Sequence, residues 1–286
     1  MTEIKDEIFR NDGASAVLHR DAPPFEERRA AAVGRWRCLD PVSGADLLNQ
    51  MARQAAGEGF RALVGPMNGD TWGAYRLVTE TDGSPPFPLE PVNGLEDLTA
   101  FRVAGFSSIA DYVSTRLALD RLSAFAPEEG EIRDPALRLR FWDGKEPEAL
   151  LGRLHALSLK AFARNPFFRP IDRASFSAHY APIMPLVDPR FVILAEKGPD
   201  LVGFLFGYPN FNEGPQPESA VIKTYASLQI GLGRRMADLF HRRARDMGFN
   251  HVIHALMRED NRSRDSSRLY GAEVFRRYAL MARRLP

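Results

Sequence analysis

The stretch from Thr224 to Met236, Thr-Tyr-Ala-Ser-Leu-Gln-Ile-Gly-Leu-Gly-Arg-Arg-Met, joins an apolar run to an amphipathic one. Glycine at 231 and 233 lets the main chain turn sharply and approach a ligand with no Cβ in between. The amides that open a helix have no acceptor inside it, and the helix dipole favours negative charge at that end. A diphosphate suits such a place, and Arg234 and Arg235 add positive charge. A glycine-eased helix start with no ligand accounts for the same residues, and Gly57-Glu-Gly59 repeats the spacing elsewhere. No glycine lies three residues after Gly233, as a dinucleotide-binding loop requires, and the lysine of a Walker loop is missing.

Other chemistries fare worse. His251 and His254 stand three apart on an expected strand, so they face opposite sides and cannot share a metal. His155 and His179 have no partner at ligand spacing. The single cysteine, Cys38, excludes a disulfide framework and any cysteine-based zinc site. It falls in an expected strand, where core packing is its ordinary role. There is no Gly-x-Ser-x-Gly elbow. No metal is expected. Near the glycine loop, Glu218 and Glu213 could serve as a base and Tyr208 could face an acceptor, although each also reads as an ordinary surface group.

The elements around the loop are legible. Ser219–Thr224 reads as a strand, Gly231–Met247 as a helix with Leu232, Met236, Leu239 and Phe240 on one stripe, and His251–Leu256 as a strand. Gly248 stands where a left-handed helix end is wanted. Strand, helix and strand in succession make a parallel crossover. Upstream, Leu137–Trp142 is a strand, Glu148–Ala163 a helix and Arg173–Val187 a proline-interrupted helical piece. Phe191–Ala195 and Leu201–Phe206, separated by a turn cluster, form an antiparallel hairpin. Asn261–Tyr270 is a short helix and Val274–Ala282 a final strand.

The acidic, proline-flanked segment 123–135 reads as a linker, leaving an N-terminal domain at 1–122 and a C-terminal one at 136–286. The first block is less regular. It has an expected strand at Ala31–Leu39, a helix at Ala45–Ala56, a strand at Arg61–Val64, a helix at Leu95–Ala104 and a strand at Ile109–Thr115. Few residues lie upstream of these to build further elements. Both blocks run helix, Gly-Phe, strand, asparagine-bearing loop, helix and strand, a faint internal repeat. Coincidence between two α/β domains would look the same.

With 286 residues, 44% hydrophobic and 26% charged, the composition is that of a folded globular chain. No apolar run is long enough to span a bilayer, and the acidic start Met1–Glu7 is no secretory signal, so the chain reads as cytoplasmic. The net charge of +1 hides thirteen arginines against six acids after Gly233, a local +7. That excess fits an anionic partner or a solvated basic face. Nucleic acid is disfavoured, because the arginines interleave with apolar core positions and form no aromatic platform.

On the element order, the Gly231-Leu-Gly233 loop and Asn261 after the next strand, residues 137–285 resemble the GCN5-related N-acyltransferase (GNAT) superfamily. Through Gly65-Pro-Met-Asn-Gly-Asp-Thr-Trp72 and Ala104-Gly-Phe106, the first block looks like the degenerate N-terminal half of bacterial tandem GNAT-like proteins. The resemblance implies a mixed α/β fold of two GNAT-like domains, each with a mixed, mostly antiparallel sheet and one parallel strand-helix-strand crossover. It implies an acyl-CoA co-substrate, acetyl-CoA or another, and transfer of the acyl group to an amine of a small molecule or peptide. A CoA-binding protein without turnover is the alternative, and a homodimer is compatible with either. Backbone at Gln229, Ile230, Gly231, Leu232, Gly233 and Arg234 would hold the pyrophosphate. Backbone at Ile222, Lys223 and Thr224 would pair with the pantetheine arm, and Asn261 would sit near its far end. The family loop has Gln or Arg where this chain has Leu228. The family's acid, a tyrosine four residues before a glycine, falls on Ser267 when aligned on Gly271, so Tyr270 is the nearest phenol. Tyr270, Ser267 and Glu218 are the catalytic candidates.

Overall fold

The computed structural model describes residues 6–120 and 134–286. The first five residues lie outside that range, as does the expected linker 123–135 apart from Asp134 and Pro135. Contacts gather the chain into two compact units. The first holds residues up to Tyr112 with Asn165–Arg169 and Arg276–Pro286, and the second holds Val113–Arg164 and Pro170–Phe275. The C-terminal residues join the first unit because they supply it with a strand and bury Met281 and Leu285 in its core.

In the first unit β1 (Glu7–Arg10), β2 (Ala14–His19) and β3 (Ala30–Cys38) pair antiparallel in turn. Helix α1 (Pro41–Gly57) then crosses to β4 (Ala62–Gly65), which runs parallel to β3 from Ala30–Ala62 to Ala32–Val64. Next come β5 (Leu77–Thr81), α2 (Leu95–Val103) and β6 (Ser107–Ala118), whose later residues belong to the second unit. Leu47, Leu48, Met51 and Ala55 of α1 pack on Leu18, Ala31, Val33 and Leu63. The hairpin β1–β2 corrects the expectation that too little chain lay upstream to build strands. It is short, and Phe9, Ala16 and Leu18 tie it to the core.

In the second unit β7 (Leu137–Phe141) is followed by α3 (Pro147–Ala161) and α4 (Arg173–Tyr180). The helical piece expected over Arg173–Val187 stops early, at Tyr180, and a single 3₁₀ turn follows at Met184–Leu186. Pro182 and Pro185 cannot continue the hydrogen-bond ladder. Strands β8 (Val192–Lys197) and β9 (Asp200–Pro209) form the expected antiparallel hairpin, and β9 pairs antiparallel with β10 (Ser219–Ser227). Helix α5 (Leu232–Asp246) crosses to β11 (His251–Arg258), parallel to β10. Helix α6 (Arg262–Leu269) and β12 (Glu273–Arg284) close the chain. The sheet path in this unit is β6-β11-β10-β9-β8-β7. Leu232, Met236 and Phe240 of α5 pack on Ile193, Leu205, Ala220, Ile222 and Val252. On the other face Leu150 and Leu157 of α3 pack with Leu194, Phe204 and Ala226.

The two crossovers share one design. Each unit places antiparallel pairings before a parallel strand-helix-strand step, two in the first and three in the second. Each crossover helix ends on a left-handed glycine, Gly59 at φ +82° and Gly248 at φ +87°. Phe60 then donates back to Ala55 O as Phe249 does to Ala244 O, the same six-residue helix lock. The mixed α/β architecture read from the sequence is the one found. Among the described residues no helix is long and apolar enough to cross a membrane.

Candidate functional site

The site grows from the place where β10 and β11 part. Their parallel ladder ends at Ile222–His254, yet β10 runs on to Ser227 and β11 to Arg258. A bulge at Lys223 shifts the β9–β10 register at the same level. Beyond it the Leu228 amide donates to Val202 O at 2.9 Å, and the Ser227 hydroxyl donates to Gln229 O at 3.1 Å. These bonds pin the loop before α5. Gly231 caps the helix at φ +82°, in the left-handed region that suits glycine, and no side chain caps it.

Four features suit the loop, a cup in outline, to an anion. Among the described residues, the amides of Gln229, Ile230, Gly231 and Gly233 find no acceptor. The side chains of Leu228 and Ile230 are exposed to solvent rather than packed in the core. The first turn of α5 carries Arg234 and Arg235 and no acid. The helix dipole adds positive potential at the same spot. The unclaimed amides and the positive first turn fit a diphosphate.

Gly233 answers to a neighbour rather than to the cup alone. A Cβ there would stand 2.8 Å from the ring of Tyr225. That ring rests on the first turn of α5, and its hydroxyl is hydrogen-bonded to Ser263 in the first turn of α6. Asn261 is the N-cap residue of α6, exposed, with no side-chain capping bond.

The catalytic candidates are scattered. Tyr270 is buried, and its hydroxyl donates to Asp238 on α5, with Arg234 O at 3.4 Å. Burial and the Asp238 carboxylate push its phenol far above the usual range. Ser267 is sealed in a buried chain. Its Oγ lies 2.6 Å from Thr115 Oγ1 and 2.8 Å from His254 Nδ1, while His254 Nε2 lies 2.8 Å from His241 Nε2. Glu218 is exposed just before β10, and Glu213 binds the Glu218 and Ser219 amides at 2.9 and 2.8 Å. Glu218 precedes Ile222 by four residues, about 13 Å of strand, on the side away from the parting. The structure therefore brings the start of α6, which Asn261 caps, to β10 through Tyr225 and Ser263, and sets Glu218 apart. Sequence reading missed Tyr225, Ser263, His241 and Thr115, and weighed His254 only as a metal ligand. Only the adjacency of Tyr225 to the glycine loop could have pointed to one of them.

The matching place in the first unit is closed. Past the last β3–β4 rung, the Met67 amide donates to Val33 O at 2.7 Å, and the Arg35 amide donates to Asn68 Oδ1 at 2.6 Å. At the start of α1 the Asp40 carboxylate accepts from the Ser43 amide at 2.8 Å. The Ser43 amide and hydroxyl hold the Asp40 carboxyl below its ordinary range. A carboxylate of the chain itself stands where an anion would go.

The C-terminal arginines are partly paired within the fold. Arg258 meets Asp260, Arg276 meets Glu90, Arg277 meets Glu80 and Arg284 meets Glu26. Among the described residues no group of three or more His, Cys, Asp or Glu is placed to hold a metal ion.

No protein-family model and no curated protein sequence matches the chain. Solved structures do. A tandem GNAT protein from the clavulanic acid biosynthesis pathway, in its form without AcCoA, aligns with 96% of this chain and 81% of its own, at 15% identity and a TM-score of 0.55. A GCN5-related N-acetyltransferase from Sphaerobacter thermophilus aligns with 95% of this chain and 76% of its own, at 13% identity and a TM-score of 0.54. One from Anabaena variabilis aligns with 95% and 59%, at 9% identity and a TM-score of 0.51. These likenesses show the fold, which the glycine loop and the element order had suggested.

Proposed function

We propose that this chain, built on the GCN5-related N-acetyltransferase fold, binds an acyl-CoA at the parting of β10 and β11 and transfers its acyl group to an amine. Acetyl-CoA is the simplest donor, and a small molecule or peptide supplies the amine. The observation that carries this reading is the cup: four unclaimed amides and a positive helix start, directly beyond the point where two parallel strands separate. Amides from Gln229 to Arg234 hold the diphosphate. The main chain at Ile222, Lys223 and Thr224 lies along the acyl arm, and Asn261 lies by its far part.

The acid–base equipment is thin. The Tyr270 hydroxyl serves Asp238 and Ser267 serves its buried neighbours, so neither is a ready proton donor. A thiolate is a good leaving group and departs without much protein help. Alignment of the amine with the thioester then supplies much of the rate. The same two commitments favour a second reading, a CoA-binding protein without turnover.

Calorimetric titration with acetyl-CoA and with longer acyl-CoAs tests the binding. Micromolar affinity is the expected result, and heat from none of them overturns the proposal. Ile230→Glu places a carboxylate at the mouth of the cup from an exposed position, so it should abolish binding while the chain stays folded. Thiol release across a panel of amines separates the two readings. Release with any amine establishes transfer, and tight binding without release leaves the binder.

A further inference from the structure

Tyr225 stands three residues past the last β10–β11 rung, on the stretch of β10 where β11 no longer runs alongside. Its ring lies against the bare Cα of Gly233, and its hydroxyl reaches Ser263. One side chain thus spans from the first turn of α5 to the first turn of α6, across the helix-bearing side of the parting. The ring is only half-buried, although helices stand at both of its ends. The chain keeps a glycine inside the first turn of α5 to seat it, and glycine weakens a helix relative to alanine. A second glycine in the loop is therefore explained by the ring, with no appeal to a phosphate.

We infer that Tyr225 is a positioning residue for the acyl donor: its ring roofs the parting and packs against the pantetheine arm. This rests on the acyl-CoA reading of the same opening. The arm is a chain of amides and apolar carbons, including a branched dimethyl carbon. The part of this aromatic face that the core leaves uncovered offers it apolar contact, while the main chain of β10 meets its amides. The hydroxyl tie to Ser263 fixes the ring in place before the ligand arrives, so little ordering remains on binding.

The test compares two probes on three proteins by calorimetry. CoA carries the arm, and ADP carries a diphosphate without it. Tyr225→Ala should weaken CoA roughly tenfold and leave ADP unchanged. Tyr225→Phe keeps the ring and should hold CoA within about threefold of the unaltered chain. An unchanged CoA affinity in Tyr225→Ala overturns the inference. Equal weakening of CoA and ADP also overturns it, because the ring would then be supporting the cup alone. If the unaltered chain binds ADP but gains nothing from the arm of CoA, the inference falls while the anion cup stands. If it binds neither, the functional reading fails and this inference with it.

Discussion

The Nε2 atoms of His241 on α5 and His254 on β11 stand 2.8 Å apart, so the two imidazoles share one proton. Both rings are buried, and His241 Nδ1 has no partner among the described residues. Ser267 and Thr115 close the other end of the chain. Asp238 and Arg242 share the helix with His241, and Tyr270 stacks edge-on to its ring. Desolvation pushes His254 down to about 4. Desolvation, the neighbouring His254 and the charge of Arg242 together hold His241 well below the ordinary range.

That arrangement makes the fold acid-sensitive. Both folded-state values lie below the unfolded one near 6.5, so the unfolded chain takes up protons that the folded chain refuses. The stabilisation is fully present above the unfolded value and is lost as pH falls toward the folded one. Between pH 7.5 and pH 5 the expected loss from His254 alone is about 2 kcal/mol. Urea denaturation at a series of pH values measures it. His254→Gln should flatten that slope while lowering stability at pH 7.5. An unchanged slope would place the acid sensitivity elsewhere.

Gly233 and Tyr225 can be separated by a double-mutant cycle. Gly233→Ala puts a methyl 2.8 Å from the ring and should destabilise by about 1–3 kcal/mol. In a Tyr225→Ala background the clash is gone, and the same substitution should stabilise by about 1 kcal/mol through helix propensity. A reversal of sign between the two backgrounds is the signature, read from denaturation midpoints. A cost that persists without the ring means that the main chain, not Tyr225, demands glycine.

The crossover β10-α5-β11 was readable because its signals are local: an apolar stripe at helical spacing, a glycine at each end and a short strand beyond. The hairpin β1–β2 was not, since only Phe9 of β1 is buried and four residues show no period. Assignment of Arg276–Pro286 to the first unit depends on pairing with β4, more than two hundred residues away in sequence, which no local pattern records. The cup's residues were legible by type and spacing. The seating of Tyr225 on Gly233 and the His241–His254 contact were not, because each joins a helix to a strand through tertiary packing alone.

Tyr270 should behave as a support rather than as a catalyst. Its hydroxyl is directed at Asp238, and α5 and the end of α6 are joined through that bond. Tyr270→Phe should lower stability by about 1–2 kcal/mol, as expected for a lost bond to a carboxylate. Where turnover is found, kcat should stay within about twofold, since the phenol already donates its proton to Asp238. Denaturation together with steady-state thiol release reads both quantities. A fall in kcat of roughly a hundredfold with stability intact would make Tyr270 the proton donor after all.

Asp40 gives the last prediction, one bound acyl-CoA per chain. In the first unit the Asp40 carboxylate already accepts the Ser43 amide at the start of α1, and a diphosphate arriving there would meet a like charge. The strand edge beyond it is also taken, by the Met67 amide on Val33 O and by Asn68 Oδ1 on the Arg35 amide. In the second unit, among the described residues, no side chain caps α5, and the parallel ladder stops at Ile222–His254. Calorimetric stoichiometry should therefore be one, and Ile230→Glu should remove the whole signal. Asp40→Ser keeps a capping side chain and removes the charge, so it should change stability by less than about 1 kcal/mol and leave acyl-CoA affinity where it was. Two sites per chain, or a single site that survives Ile230→Glu and responds to Asp40→Ser, would move acyl-CoA binding to the first unit.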